Sequence, residues 1–197
     1  MTTPNDREHT HTLDSPSQNL PRPYLVEPAD AWYHVYHWLK IATHVPGDLA
    51  ECGAGEGHTA ASILTALKEF GESGKQLHLF DRFDGVLEEV KERLAPFQNY
   101  EIHAGEFAET FRDFGTPLCF IFADSTFYES IAETIRLADK TLVTGGIIMF
   151  HDVGNRFCLG VDAAIQECLR QDRYYYLRIQ KAPPDVDAGF GVGIKMR

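Results

Sequence analysis

Positive charge is what this chain is shortest of. Lysine and arginine number 18 against 29 aspartates and glutamates, a formal net charge of −11 with histidine neutral, and no Lys/Arg cluster stands out. Such a balance argues against a nucleic-acid backbone or an anionic membrane as partner and suits a small molecule. Long apolar runs are also missing. Residues 1–23 are polar and rich in Thr, Asp, Ser and Pro, without the stretch that a signal peptide or a membrane-spanning helix needs. They read as a disordered tail, whose His9 and His11 offer adventitious metal affinity at most. Cysteine is sparse. Cys52, Cys119, Cys158 and Cys168 form neither a C-x-x-C pair nor a zinc spacing, which argues against a disulfide framework and for a reducing, cytoplasmic compartment.

What remains is ordinary for a globular protein, with 44% hydrophobic and 24% charged residues. A span of 24–197 is the right size for one domain with a sizeable core, and no linker or repeat divides it. Trp32, Val35, Tyr36, Leu39 and Ile41 or Ala42 recur at helical spacing and predict a helix over Ala29–Val45, stopped by Pro46-Gly47. Strand and helix signals then alternate. Strands are expected at Asp48–Cys52, Gln76–Phe80, Tyr100–His103, Pro117–Ala123 and Gly146–Phe150. Helices are expected at Gly57–Phe70, Val86–Leu94, Phe107–Phe114, Tyr128–Asp139 and Val161–Arg170. Two final strands, Tyr174–Ile179 and Phe190–Met196, flank the Pro183-Pro184 loop and form an antiparallel β-hairpin. Repeated βα units with short joins predict an α/β, Rossmann-like, mostly parallel seven-stranded sheet with helices on both faces.

Ligands of such sheets bind beyond the carboxyl ends of the strands. The first strand ends in Glu51-Cys52-Gly53-Ala54-Gly55-Glu56-Gly57, immediately before a helix. Glycine lets a ligand approach the backbone, and the helix start supplies unpaired N–H donors. The next strand delivers Asp81, an acid at the distance along the chain where ribose hydroxyls are bound, with Asp84 as fallback and helix capping as the alternative role. His103-Ala104-Gly105-Glu106 ends the third strand, placing Gly105 and Glu106 against an adenine edge. The fourth and fifth strands, neighbours in a parallel sheet, end in Asp124 and in His151-Asp152. Two carboxylates and an imidazole can hold Mg²⁺, and His151 or Asp124 can take a proton from a bound hydroxyl. The bland alternative makes both aspartates helix caps and packs His151 in the interior.

Glu-x-Gly-x-Gly-x-Gly resembles motif I of class I S-adenosylmethionine (SAM) methyltransferases, rather than the G-x-G-x-x-G of dinucleotide enzymes. Pro46–Gly53, Phe80–Gly85, Ala123-Asp124 with Phe127–Ser130, and Gly145-Gly146 through His151-Asp152 follow in the order of the macrocin O-methyltransferase family. The resemblance covers roughly residues 24 to 197. It implies SAM as methyl donor held by Glu51, Gly53, Gly55, Gly57 and Asp81, Mg²⁺ held by Asp124, His151 and Asp152, and methylation of a hydroxyl on a small molecule, often a natural-product sugar. Two departures stand out. The family's Asp-x-Asp after strand four is Asp124-Ser125-Thr126 here, and His151 replaces an acid.

Rival readings are a non-catalytic SAM-binding module and an NAD(P)-dependent oxidoreductase. Self-association into a homo-oligomer stays open. His34 and His37 lie one turn apart on the first helix, where packing is the favoured role. Gly154–Phe157 reads as a substrate loop with Arg156 at its centre.

Overall fold

The computed structural model describes residues 29–179 and 189–197. The expected tail over 1–23, with His9 and His11, and the Pro183-Pro184 loop lie outside the described residues. The elements run α1 (Ala29–Ala42), β1 (Asp48–Cys52), α2 (His58–Phe70), β2 (Leu77–Asp81), α3 (Leu87–Leu94), β3 (Tyr100–Ala104), α4 (Phe107–Thr110), β4 (Leu118–Ala123), α5 (Tyr128–Thr141), β5 (Leu142–Val153), α6 (Leu159–Cys168), β6 (Tyr174–Ile179) and β7 (Gly189–Lys195). The strand order is β3-β2-β1-β4-β5-β7-β6. β3 through β5 pair in parallel, and β7 runs antiparallel between β5 and β6. The expected α/β sheet with its C-terminal hairpin is what forms, and the order reverses between β1 and β4, opening the crevice where such sheets bind ligands.

Alternation along the strands builds two cores. Leu49, Leu77, Leu79, Phe120 and Phe122 face α1, α2 and α3, whereas Ala50, Cys52, Phe80, Ile121 and Phe150 face α5 and α6. Helices on both faces follow directly. Phe80, Phe120, Phe150 and Phe190 are fully buried, and burial of each side chain contributes about 1.5–3 kcal/mol. Phe80 precedes Asp81 and Phe150 precedes His151, so well-packed anchors hold the strand ends that carry the polar residues.

Several element ends shift by one or two residues; the three largest differences from expectation each have a local reason. α1 stops at Ala42 because the backbone tightens into i→i+3 bonds, His44 N–H to Ile41 O and Val45 N–H to Ala42 O, ahead of Pro46. On that helix Ala42 is buried and Ile41 exposed, which settles the choice between them. α4 is a single turn, because Phe111 and Phe114 are drawn onto the Phe80 ring at 4.9 and 5.1 Å. β5 is longer than its apolar run, reaching back to Leu142 across a register shift opposite Leu118–Phe120.

Candidate functional site

Glu51 sits at the end of β1 with only 1% of its surface exposed, and neither carboxylate oxygen has a hydrogen-bond partner. Burial, then the nearby Asp124 and Asp81 carboxylates, hold its acid well above the ordinary range. An unpartnered buried acid facing two others is costly and is relieved by a cation. The turn beyond it is shaped for close approach. A Cβ on Gly53 would collide with the Asp124 backbone carbonyl, so β1 and β4 meet this closely only around glycine. Gly55 has φ of +48°, and a Cβ there would meet nothing within 4 Å.

Asp81 holds the turn from the neighbouring strand. Gly55 N–H donates to its Oδ2 over 3.0 Å and Phe83 N–H to its Oδ1 over 2.9 Å. It caps no helix, since the N-cap of α3 is Val86. Asp84, the fallback, instead pairs with Arg82 at 3.1 Å. Beside Asp81 lies a cavity of about 460 Å³ lined by Gly105, Glu106, Phe107, Ser125 and Phe127 among others, and Arg82 bridges to Glu106 across 3.6 Å. Gly105 and Glu106, at the end of the third strand, therefore both line this cavity.

The other half lies over β4, β5 and β7. His151 Nδ1–H donates to Asp124 Oδ1 at 2.9 Å and is 3.7 Å from Asp152 Oδ2. A carboxylate only accepts, so Nδ1 carries the proton and a neutral ring keeps its lone pair on Nε2. Asp152 has a φ of +58°, unusual outside glycine. Asn155 Nδ2–H donates to its Oδ1 at 2.9 Å, and Cys158 Sγ lies 3.8 Å from its Oδ2. Neither aspartate caps a helix, since the N-caps of α5 and α6 are Phe127 and Cys158.

Sequence reasoning missed Phe190. Its ring lies 5.2 Å from His151 and 5.9 Å from His34 of α1, tying the first helix to the site. A signal existed in Gly189-Phe190-Gly191-Val192-Gly193, where small residues at every second position mark close approach of another chain segment. His37 instead stacks on Tyr33 at 6.3 Å on the helix surface, and Arg156 sits over the Phe157 ring at 4.8 Å.

The strand order, the glycine turn after β1 and the acids at successive strand ends together define a class I methyltransferase fold. A family model for a methyltransferase domain matches residues 50–153, more than half of the chain. The chain belongs to that methyltransferase-domain family. Among curated proteins no sequence matches. The chain is similar in structure to the O-methyltransferase TomG from Streptomyces achromogenes, involved in tomaymycin synthesis and solved with SAM, at 16% identity over 88% of this chain and 82% of that one, with a TM-score of 0.70. It is similar also to the O-methyltransferase NovP, at 16% identity over 83% and 78% with a TM-score of 0.69. An rRNA methylase from Streptococcus thermophilus gives 14% identity over 88% and 99% with a TM-score of 0.67. The fold is therefore shared by enzymes of small molecules and of RNA and does not itself exclude nucleic acid.

Proposed function

We propose that residues 24–197 act as one cytoplasmic SAM-dependent O-methyltransferase domain, transferring a methyl group to a hydroxyl of a small molecule. The observation that carries this reading is the buried, unpartnered Glu51 flanked by Asp81 and Asp124. Three carboxylates around a glycine turn suit a ligand bearing an ammonium and a sulfonium. They repel the pyrophosphate of a dinucleotide, which counts against the oxidoreductase reading. Glu51 would take the ammonium, Asp81 the ribose hydroxyls, and Gly105, Glu106 and Phe107 the adenine side of the cavity. Neighbouring folds solved as O-methyltransferases support the same reading. A net charge of −11 favours a small acceptor over RNA.

Bound SAM supplies an electrophilic methyl group on sulfur. The chain's own part is to orient the acceptor and remove its proton. His151 Nε2 takes the hydroxyl proton while Asp124 fixes the tautomer and steadies the imidazolium. The oxygen's electron pair would form the O–C bond as the S–C bond breaks, with S-adenosylhomocysteine as the leaving group.

The expected Mg²⁺ fits these residues poorly. It asks for a shell of oxygens at about 2.0–2.1 Å, yet a ring N–H lies between Asp124 and Asp152 and Asn155 occupies one Asp152 oxygen. The proton route above uses His151 and Asp124 alone.

Calorimetry with SAM and S-adenosylhomocysteine, followed by methyl transfer from labelled SAM to a library of small hydroxyl compounds in excess chelator, tests the reading. Saturable binding with turnover is expected. Absence of SAM binding would sink it, and tight binding without turnover on any acceptor would leave the non-catalytic module in its place.

A further inference from the structure

A second polar cluster lies away from the glycine turn, on the α5 side of the sheet. The β2–β3 register sets His78 opposite Glu101 and Phe80 opposite His103, so His78, Glu101 and His103 share one face. His78 Nδ1 is 3.1 Å from His103 Nε2 and 3.5 Å from Glu101 Oε2, and His103 Nε2 is 3.9 Å from the same oxygen. Two ligands at about 2.0–2.1 Å from a tetrahedral ion lie roughly 3.3–3.4 Å apart; the 3.1 and 3.5 Å sides of the triangle are close to that, and the exposed Glu101 side chain closes the 3.9 Å side by a small turn. Among the described residues it is the one group of three His, Cys, Asp or Glu side chains whose ligand atoms lie within 4.8 Å of one another.

The surroundings favour the ligand form of His78. His78 is 5% exposed, and its Nε2 has no hydrogen-bond partner. That nitrogen faces Asp48 Oδ2 at 3.7 Å. A carboxylate on the Nε2 side draws the ring proton there and turns the Nδ1 lone pair toward His103 and Glu101. A carboxylate behind a ligating imidazole is the usual outer-shell arrangement at such metals. Phe80 stacks on His103 at 4.4 Å, and Phe114 packs edge-on to His78 at 4.9 Å and to His103 at 5.5 Å. The cluster thus has a dry aromatic wall on one side and an exposed carboxylate, Glu101, at its mouth.

We propose that His78, Glu101 and His103 form a binding site for a divalent transition metal of the zinc class, with a fourth position open to water. Two imidazoles and one carboxylate select zinc, cobalt or nickel over magnesium or calcium. The metal staples edge strand β3 to β2. Because Gly105 N–H donates to Asp81 O at 2.9 Å, the staple also steadies the strand end that walls the cavity.

The test titrates the full chain, stripped with chelator, with Co²⁺ alone, whose visible d–d bands intensify in low-coordinate sites. One equivalent is expected to give intense bands that Zn²⁺ abolishes by displacement. Glu101→Gln and His103→Asn should each weaken binding more than about a hundredfold, beyond the loss of an outer-shell partner. Glu101 has a 56% exposed side chain, so its substitution leaves the fold intact, which retained SAM binding by that variant confirms. A His9→Ala/His11→Ala variant should keep the bands. The proposal is overturned if no saturable bands appear, if they survive both Glu101→Gln and His103→Asn, or if they vanish in the tail variant or in Asp152→Asn.

Discussion

The two halves of the crevice are built on different principles. Over β1, β2 and β3, the side proposed to bind the methyl donor, recognition is backbone-led. A glycine turn, a carboxylate gripping that turn and a buried acid stand around a cavity of about 460 Å³. Over β4, β5 and β7, the side proposed for the acceptor, the chemistry is carried by side chains, with His151 between two aspartates and Phe190 against its ring. Phe157 and Leu159, which follow β5 in the chain, are exposed at 78% and 70%. If one half binds the methyl donor and the other holds the proposed base, changes on the two sides should separate into binding and turnover.

The largest separation is expected at His151. His151→Asn removes the proposed proton acceptor, and kcat for methyl transfer should fall about 10²–10⁴-fold while calorimetry gives the wild-type Kd for SAM. A matching loss of SAM affinity would show that the two halves are one site. The mirror experiment is Asp81→Ala. Losing two hydrogen bonds to a charged acceptor, each contributing about 1.5–3 kcal/mol, should weaken SAM binding at least about a hundredfold. The Gly55 and Phe83 amides it holds would be released as well. Saturating SAM should restore most of the turnover, and a kcat that stays low would break the comparison from the other side.

That asymmetry also decides what sequence could reveal. The strands were legible from alternation and turn residues, and the proposed donor side was read from Glu51, the three glycines and Asp81, because backbone-led recognition needs particular residue types at particular spacings. Asp124 and His151-Asp152 were legible as strand ends that the sheet brings together. Phe190 was not, because the alternating glycines around it mark close approach of some segment without saying that β7 inserts between β5 and β6 and lays that ring on His151. His78 and His103 were hidden for the same reason. They are 25 residues apart and meet only through the β2–β3 register.

Glu51→Gln gives a smaller effect with opposite signs in the two states. Loss of the charged partner should weaken SAM binding about tenfold, whereas the free protein should gain stability. The sign follows from linkage. With a folded pKa raised above the unfolded value, the native state holds a proton that the unfolded chain has lost. The contribution is fully present below the unfolded pKa and is lost as pH rises toward the folded one, with a slope of at most about 1.4 kcal/mol per pH unit. Urea unfolding without SAM should therefore show Glu51→Gln gaining on wild type from pH 5 to pH 8. Parallel pH profiles would mean that Glu51 is relieved of its strain even without a ligand.

The smallest change expected is at Phe190, and it probes the boundary between the halves most finely. Its ring is 1% exposed and lies 5.2 Å from His151 and 5.9 Å from His34, so it positions the imidazole without reaching the glycine turn. Phe190→Leu keeps an apolar side chain of similar bulk and removes the ring. Aromatic contacts of this kind contribute about 0.5–1.5 kcal/mol beyond burial, so kcat should fall about two- to tenfold. The pH–rate profile should shift as well, because the environment of the base changes, and a merely structural role would lower the melting temperature without moving that profile. SAM affinity should be unchanged. If Kd for SAM moves as far as kcat, the ring is felt across the sheet, and the division between a backbone-led donor side and a side-chain-led acceptor side fails where β7 enters it.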